Sequence, residues 1–496
     1  MTEQQSSYRQ IMKATSLFGG VQIFNIVIQI IRSKFVAVLL GPNGMGISGL
    51  LYSTINLIKG FTDFGLGTSA VKDIAAAHGT DNKIKIATSV TVIRRLVWVT
   101  GTLGAVVTMV LSSWLSQLTF GNHNYTFAFI WISITLLLNQ LSNGQIVLLR
   151  GMRRLQNLAK ANLAGSTLGL IATIPLYYLW GINGIVPGII VTSVISLALS
   201  WYFSHKIKIE PVKVSYSRTI ADGKDMLNMG FMISLSGTMA VISSYVVRIF
   251  IRNHGGIDQV GFYNAGFTLL DTYVGLIFTA MSTDYYPSLT AVAHSNQLSK
   301  AAINQQIEIA LLILAPIIII FLVFINWVVI LLYSTKFISI NKMIYWASIG
   351  VFFKAPGWAI AFILLAKGTA KLYFWNELVA KIYFLGLNLI GYYFLGLTGL
   401  GISYMVGFVL YLIQVFLLSK SKFEFSFSSA LIRIFLIQFL LAIVSFIAVR
   451  FLKSPFTYFV GIGLIAISSW YSYKELDKRI GIQAIMLNLR KRFIKK

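Results

Sequence analysis

Apolar runs of about 20 residues, each long enough to cross a hydrocarbon core some 30 Å thick, recur from one end of this chain to the other. Fourteen spans can be drawn, near residues 15–39, 46–67, 93–114, 125–148, 161–180, 184–204, 227–251, 261–287, 307–333, 343–366, 370–396, 399–419, 429–450 and 455–473. Each reads as a helix, because a segment inside lipid must satisfy its own backbone hydrogen bonds. The short alternating strands of a membrane barrel are absent from the pattern. The fold class is therefore an all-α polytopic membrane protein of about 14 transmembrane helices.

Composition agrees. The 496 residues are 56% hydrophobic and 11% charged, whereas soluble domains carry about 25% charged residues. The polar N-terminus, MTEQQSSYRQIMKATS, has no cleavage pattern, so the first span is expected to be retained. With no cysteine, disulfides, thiolate chemistry and Cys-bearing metal sites are excluded, which fits a bacterial inner membrane.

A net charge of +26 raises nucleic acid as a partner, but the placement of the charges answers otherwise. With the N-terminus inside, 29 of the 41 Lys and Arg residues fall on cytoplasmic segments, 5 on outer loops and 7 within spans. That asymmetry orients the chain by the positive-inside rule. Both termini are expected in the cytoplasm, with the basic tail, residues 474–496, on the anionic inner leaflet. Membrane lipid is the expected partner, and nucleic acid is not.

The pattern also repeats itself. Gly41-Pro42-Asn43-Gly44-Met45-Gly46-Ile47 is echoed by Gly256-Ile257-Asp258-Gln259-Val260-Gly261-Phe262, with Arg32 and Lys34 upstream of one and Arg248 and Arg252 upstream of the other. Ala75-Ala76-Ala77-His78 is likewise echoed by Ala291-Val292-Ala293-His294. The expected organisation is two parallel, pseudo-symmetric six-helix lobes: residues 1–210, a cytoplasmic linker 211–226, and residues 227–420. Two extra C-terminal helices (421–473) and the tail (474–496) follow.

Charges inside the spans need a reason, since each costs roughly 2.5–3.5 kcal/mol at a helix centre on insertion scales. The basic ones are Arg32, Lys34, Lys59, Arg248, Lys354, Lys381 and Arg433; the acidic ones are Asp63, Asp271 and Glu377, with Asp284 nearer a membrane face. Lys59 and Asp63 are four apart on one helix, as are Glu377 and Lys381, and each pair can neutralise itself. Arg433, near the start of its span, is expected to snorkel to the surface, and Arg252 to anchor at the outer interface. Arg32, Lys34, Arg248 and Lys354 have no acid within a turn. Either packing pairs them with Asp271, or they line a water-filled cavity suited to an anion, for which Arg forks well onto phosphate. Arg32, Lys34, Lys59, Arg248 and Lys354 are the candidate substrate contacts. Asp63, Asp271, Asp284 and Glu377 are candidate ion-coupling groups or counter-ions.

Other chemistry is not signalled. His78, His123, His205, His254 and His294 are scattered without ligand spacing, so no metal is expected, and no nucleotide-binding loop or nucleophile elbow occurs. The chain is expected not to be an enzyme and to need no cofactor beyond H⁺ or Na⁺ as a coupling ion. Tyr285, Tyr286 and Trp358 are either packing residues or the lining of a sugar path.

Several phrases are similar to those of one family. Val260-Gly261-Phe262-Tyr263-Asn264-Ala265 resembles the start of a helix in polysaccharide-export members of the MOP superfamily. Ser282-Thr283-Asp284-Tyr285-Tyr286-Pro287-Ser288-Leu289 resembles the end of that helix in Wzx-type O-antigen flippases. Leu148-Leu149-Arg150-Gly151-Met152-Arg153-Arg154 resembles their loop after the fourth span, and Leu40–Gly46 also matches. Ser334, Lys336, Phe337, Trp346, Gly350, Lys354, Ala366, Lys367, Tyr373 and Glu377 follow at family-like spacing. One departure stands out: Val351 occupies the position where members close to the enterobacterial-common-antigen flippase carry an Asp. A coupling role for that carboxylate does not carry over.

The resemblance covers about residues 10–420. It implies a V-shaped arrangement of the two lobes, like MATE and MurJ transporters. It further implies a flippase moving an undecaprenyl-pyrophosphate-linked oligosaccharide, an O-antigen or related repeat unit of lipopolysaccharide biosynthesis, from the cytoplasmic to the periplasmic leaflet by alternating access. A polysaccharide polymerase is the further partner it implies. The alternatives are a peptidoglycan lipid-precursor flippase and a MATE-type multidrug or cation antiporter. The second calls for an acidic interior, against the seven basic and four acidic groups counted here.

Overall fold

The structure, a computed structural model, describes residues 3–80, 82–210 and 212–480; residues 481–496 of the expected basic tail lie outside them. Among the described residues every regular element is helical. The chain divides into two compact units, Met1–Gly261 and Phe262–Lys496.

The first unit holds α1 (Glu3–Leu39), α2 (Gly41–Thr62), α3 (Leu66–Gly79), α4 (Lys83–Val110), α5 (Ser112–Phe120), α6 (Thr126–Gly151), α7 (Leu155–Trp180), α8 (Ile185–His205), α9 (Tyr216–Gly255) and the start of α10 (Ile257–Phe267). The second continues α10 through a π-helical turn, Thr268–Val274, into α11 (Gly275–Ala291). It goes on with α12 (Asn296–Leu332), α13 (Asn341–Ala366), α14 (Ala370–Phe423), α15 (Ser429–Phe451) and α16 (Phe456–Ile480). All fourteen expected spans fall on these helices, two of them on α14. Nine helical stretches among the described residues are long and apolar enough to cross a membrane.

α14 is two helices in one. Gly396 sits at φ +57°, a left-handed conformation open to glycine at little cost, and the chain reverses there. Ser403 Oγ then donates to the Leu387 carbonyl at 2.5 Å, and Gln414 Nε2 to Asn376 Oδ1 at 2.8 Å. α12 is the spine of the second unit, with α13, α15 and α16 packed against it. α3 is too short to span. Its buried stripe, Leu66, Ala70, Ile74 and Ala77, packs on α4, α6 and α9.

The two echoed glycine phrases meet each other. Gly41 and Gly256 both adopt positive φ, +67° and +83°, and turn the chain into α2 and α10. Five residues on, Gly46 lies against the Ile257 carbonyl and Gly261 against the Pro42 carbonyl, each so close that a Cβ would overlap the oxygen. Between them Asn43 Nδ2 donates to Asp258 Oδ1 at 2.8 Å. In the alignment of the phrases Pro42 corresponds to Ile257 and Asn43 to Asp258. The contact is thus reciprocal, as a local two-fold axis requires.

Candidate functional site

α2 runs antiparallel to α9, in register over its whole length. Gly65, just past α2, abuts the Gly230 backbone, and the Gly60 carbonyl accepts from Thr238 Oγ1 at 3.4 Å. Thr54 Oγ1 and Thr119 Oγ1 are 3.2 Å apart, and Thr119 Oγ1 and Tyr245 Oη 2.7 Å apart, linking α2 to α9 through α5.

That register sets the depth of the intramembrane cations. Tyr52 lies about 3 Å beyond Thr54 and Arg248 about 4.5 Å beyond Tyr245, in the same direction, at 1.5 Å per helical residue. Arg32 Nη2 donates to Tyr52 Oη at 2.9 Å, so Arg32 and Arg248 occupy one layer. Lys34 sits roughly 3 Å nearer the α1–α2 turn, and Lys59 about 10 Å away on the other side of Tyr52.

The partners of these groups decide what they can do. Arg32 is held by neutral phenols, Tyr52 and Tyr177, and its guanidinium lies 5.9 Å from the Tyr52 ring centre. Arg248 Nη1 donates to the Ser244 carbonyl at 3.0 Å and to the Ser244 hydroxyl. The phenol contacts orient the Arg32 guanidinium without cancelling its charge. Such a group can take up an anion by charge-assisted hydrogen bonds.

Neither expected i,i+4 pair forms an ion pair. The Asp63 carboxylate instead accepts from Gln140 Nε2 at 2.8 Å, and Gln140 Nε2 also reaches Thr100 Oγ1 at 2.9 Å. Glu377 accepts from Tyr411 Oη at 2.6 Å across the α14 hairpin, and from its neighbour Asn376 Nδ2 at 3.3 Å. The helical spacing was met, but a nearer neutral donor on a packed helix took each carboxylate.

In the second unit, Lys354 pairs with Asp271 at 3.5 Å and donates to Tyr404 Oη at 3.1 Å. The ring centres of Phe278, Tyr404 and Phe408 lie 5.5, 5.6 and 5.2 Å from its ammonium. Asp271 sits on the π-helical turn, a distortion often found at functional sites. The pair is lopsided: the lysine side chain is 19% exposed and the aspartate 56%. Asp284 is exposed.

Two residues belong to the framework. Arg252 donates to the Thr119 carbonyl at 3.0 Å and the Leu118 carbonyl at 2.7 Å, capping the C-terminus of α5 where a cation is favoured. Tyr285 Oη donates to the Ala359 carbonyl at 2.7 Å, and its ring packs on Trp358 and Phe362. Among the described residues no cluster of His, Asp or Glu could hold a metal ion. Tyr52, Tyr177, Gln140 and Tyr404 were not singled out from the sequence. The only available signal was a polar tip within an apolar span, and only Tyr52 shares its span with candidate charges, Lys59 and Asp63.

The fold is shared with solved transporters. "Lipid II flippase MurJ, inward closed conformation" superposes with a TM-score of 0.70 at 11% identity, over 94% of this chain and 99% of that one. An inward-facing "multidrug resistance MATE family transporter of the MOP superfamily" superposes at 0.67 with 16% identity, over 83% and 96%. The chain thus has the fold of multi-pass membrane transporters of the MOP superfamily. Residues 35–342 match the family described as "Polysaccharide biosynthesis protein", and the chain belongs to that family. It is also 21% identical over 404 residues to the "Lipid III flippase" of Escherichia coli (strain K12), covering 80% of this chain and 95% of that protein.

Proposed function

We propose that the chain flips an undecaprenyl-pyrophosphate-linked oligosaccharide, an O-antigen or related repeat unit, from the cytoplasmic to the periplasmic leaflet of the bacterial inner membrane. The observation that carries this reading is Arg32, a guanidinium held by the neutral phenols of Tyr52 and Tyr177, in a layer it shares with Arg248. The pyrophosphate is the part of such a substrate that resists hydrocarbon, and several fixed donors replace the water it loses. The polyprenyl tail stays in lipid throughout. Family membership and the likeness to the Lipid III flippase of E. coli support a lipid-linked substrate.

Arg32 comes from the first expected six-helix lobe, residues 1–210, and Arg248 and Lys354 from the second, residues 227–420, and alternating access carries the substrate from one leaflet to the other. Asp271 is the coupling group of this scheme: protonation, or displacement by Na⁺, releases Lys354 to the substrate. Both termini face the cytoplasm, and a polysaccharide polymerase receives the product.

The test is complementation of two strains, one lacking an O-antigen flippase and one lacking the peptidoglycan flippase. Rescue of the first alone is expected. Rescue of the second alone assigns the pyrophosphate layer to a peptidoglycan precursor, and rescue of neither contradicts the proposal.

A further inference from the structure

Where the chain leaves α8 and enters α9, it lies against α4 and encloses a groove of about 1390 Å³. Pockets for drug-sized molecules run to about 300–1,000 Å³, so this one has room for something larger.

Its lining is layered. Arg94 and Arg95 of α4 and Lys224 of α9 stand at one level, since Gly223 abuts the Leu96 side chain. Trp98 and Val99 lie one turn further into the span of α4, and Phe231 two turns further along α9. Arg95 is fixed, donating to the Val214 carbonyl at 3.0 Å and Thr219 Oγ1 at 2.7 Å, with its guanidinium 4.8 Å from the Tyr216 ring centre. Arg94 and Lys224 are exposed, and so are Trp98, Val99 and Ile220. Glu210 is the single carboxylate in the lining, which leaves the groove net positive.

We propose that this groove holds one anionic phospholipid, its phosphate against Arg94, Arg95 and Lys224 and its acyl chains along Trp98, Val99 and Phe231. Basic pockets between membrane helices attract anionic headgroups. Tryptophan favours the level where headgroup gives way to hydrocarbon. The cationic level and the apolar level follow one another here in the order that a lipid presents them. Bound there, the lipid ties the α8–α9 connection to α4. The inference requires only that the chain spans a membrane, and does not depend on the transported substrate.

Native mass spectrometry of the purified full chain tests it, with phosphatidylglycerol, phosphatidylcholine, inorganic phosphate and a pyrophosphate-linked polyprenyl lipid as probes. The expected result is one phosphatidylglycerol retained at least fivefold better than phosphatidylcholine. Arg94→Gln with Lys224→Gln should abolish the preference, and Arg94→Lys should keep it. Ile220→Glu, which leaves the cations in place but puts a carboxylate in the groove, should also abolish it. Three results overturn the inference: equal retention of the two phospholipids by the unsubstituted protein, displacement by inorganic phosphate, or tighter binding of the pyrophosphate lipid with the same sensitivity to substitution. The first comparison uses no variant, so a variant that fails to fold does not remove the test.

Discussion

Arg32 has two phenols for neighbours, and an ionisable group kept inside a membrane segment is by default a functional one. Removing such a group should therefore affect transport before folding. Arg32→Ala is expected to lower translocation roughly tenfold or more, matching the loss of a charged hydrogen bond at about 1.5–3 kcal/mol, with the membrane level of the protein unchanged. Arg32→Lys should be partly active, because an ammonium lacks the two-pronged fork. Tyr52→Phe should fall between Arg32→Lys and the unsubstituted protein. Quantitative immunoblotting beside a flipping assay separates these outcomes from loss of insertion. Lys354 poses a different question, since Asp271 stands 3.5 Å from it. A double-mutant cycle with Lys354→Ala and Asp271→Ala should return a coupling of about 0.5–3 kcal/mol in transport activation energy. Additive losses would show that the two act separately.

Arg252 joins two elements, and its prediction concerns the helix it caps. Arg252→Ala strips two donors from the end of α5 and should raise hydrogen exchange in α5 and the following loop. The cost is about 1.5–3 kcal/mol for each hydrogen bond from a charged group. At the far end of the chain, α16 is fastened to α12 by a buried network. Arg479 binds Glu308 at 2.8 Å and Glu475 at 2.6 Å, and Lys478 binds Glu475 at 2.8 Å. Ser428 Oγ donates to Glu308 at 3.0 Å. Arg479→Ala leaves Glu475 with Lys478 and Glu308 with Ser428 alone, and should destabilise the second unit by about 1.5–3 kcal/mol for the lost charged hydrogen bond to Glu308. Hydrogen bonds from Lys478 and Arg479 hold the Glu475 carboxyl below its ordinary range. A carboxylate depressed in the folded state stabilises fully above its unfolded pKa of about 4.3. That stability fades as pH falls through the lower folded value. Acid titration of thermal stability should show the loss below about pH 4, and Glu475→Gln should remove that component. A different neighbourhood acts on Asp73 of α3, where burial raises the carboxyl and Asp225 and Asp222 add to it against Lys72. Here the sign reverses: stability is greatest below the unfolded pKa and is lost as pH rises through the folded one.

For the molecule as a whole, the helices were legible because lipid imposes one solution on every long apolar run. The reversal inside α14 was legible for the same reason, since 370–423 is too long for one crossing. The glycine phrases were read as an echo, and the structure adds that they touch, Gly46 on Ile257 and Gly261 on Pro42. Charge pairing was legible only in part. Spacing along one helix suggested Lys59–Asp63 and Glu377–Lys381, yet Gln140 and Tyr411 arrive from packed neighbours that a linear pattern does not identify. Lys354 and Asp271, 83 residues apart in sequence, were an open alternative that only packing resolved. Reciprocity of the glycine contact also yields a prediction. Gly46→Leu and Gly261→Leu force the same two backbones apart, so each should impair transport, and together they should cost less than the sum of the two.

The central claim is that the Arg32–Arg248 layer carries a pyrophosphate across the membrane. A leaflet-resolved assay in proteoliposomes, loaded with a defined polyprenyl-pyrophosphate oligosaccharide and run with and without an ion gradient, addresses it most directly. The account predicts movement of the sugar to the opposite leaflet by the unsubstituted protein, and little above the lipid-only background for Arg32→Ala and Arg248→Ala at equal incorporation. Undiminished flipping by both variants, or transport of organic cations in place of the lipid-linked sugar, would contradict it.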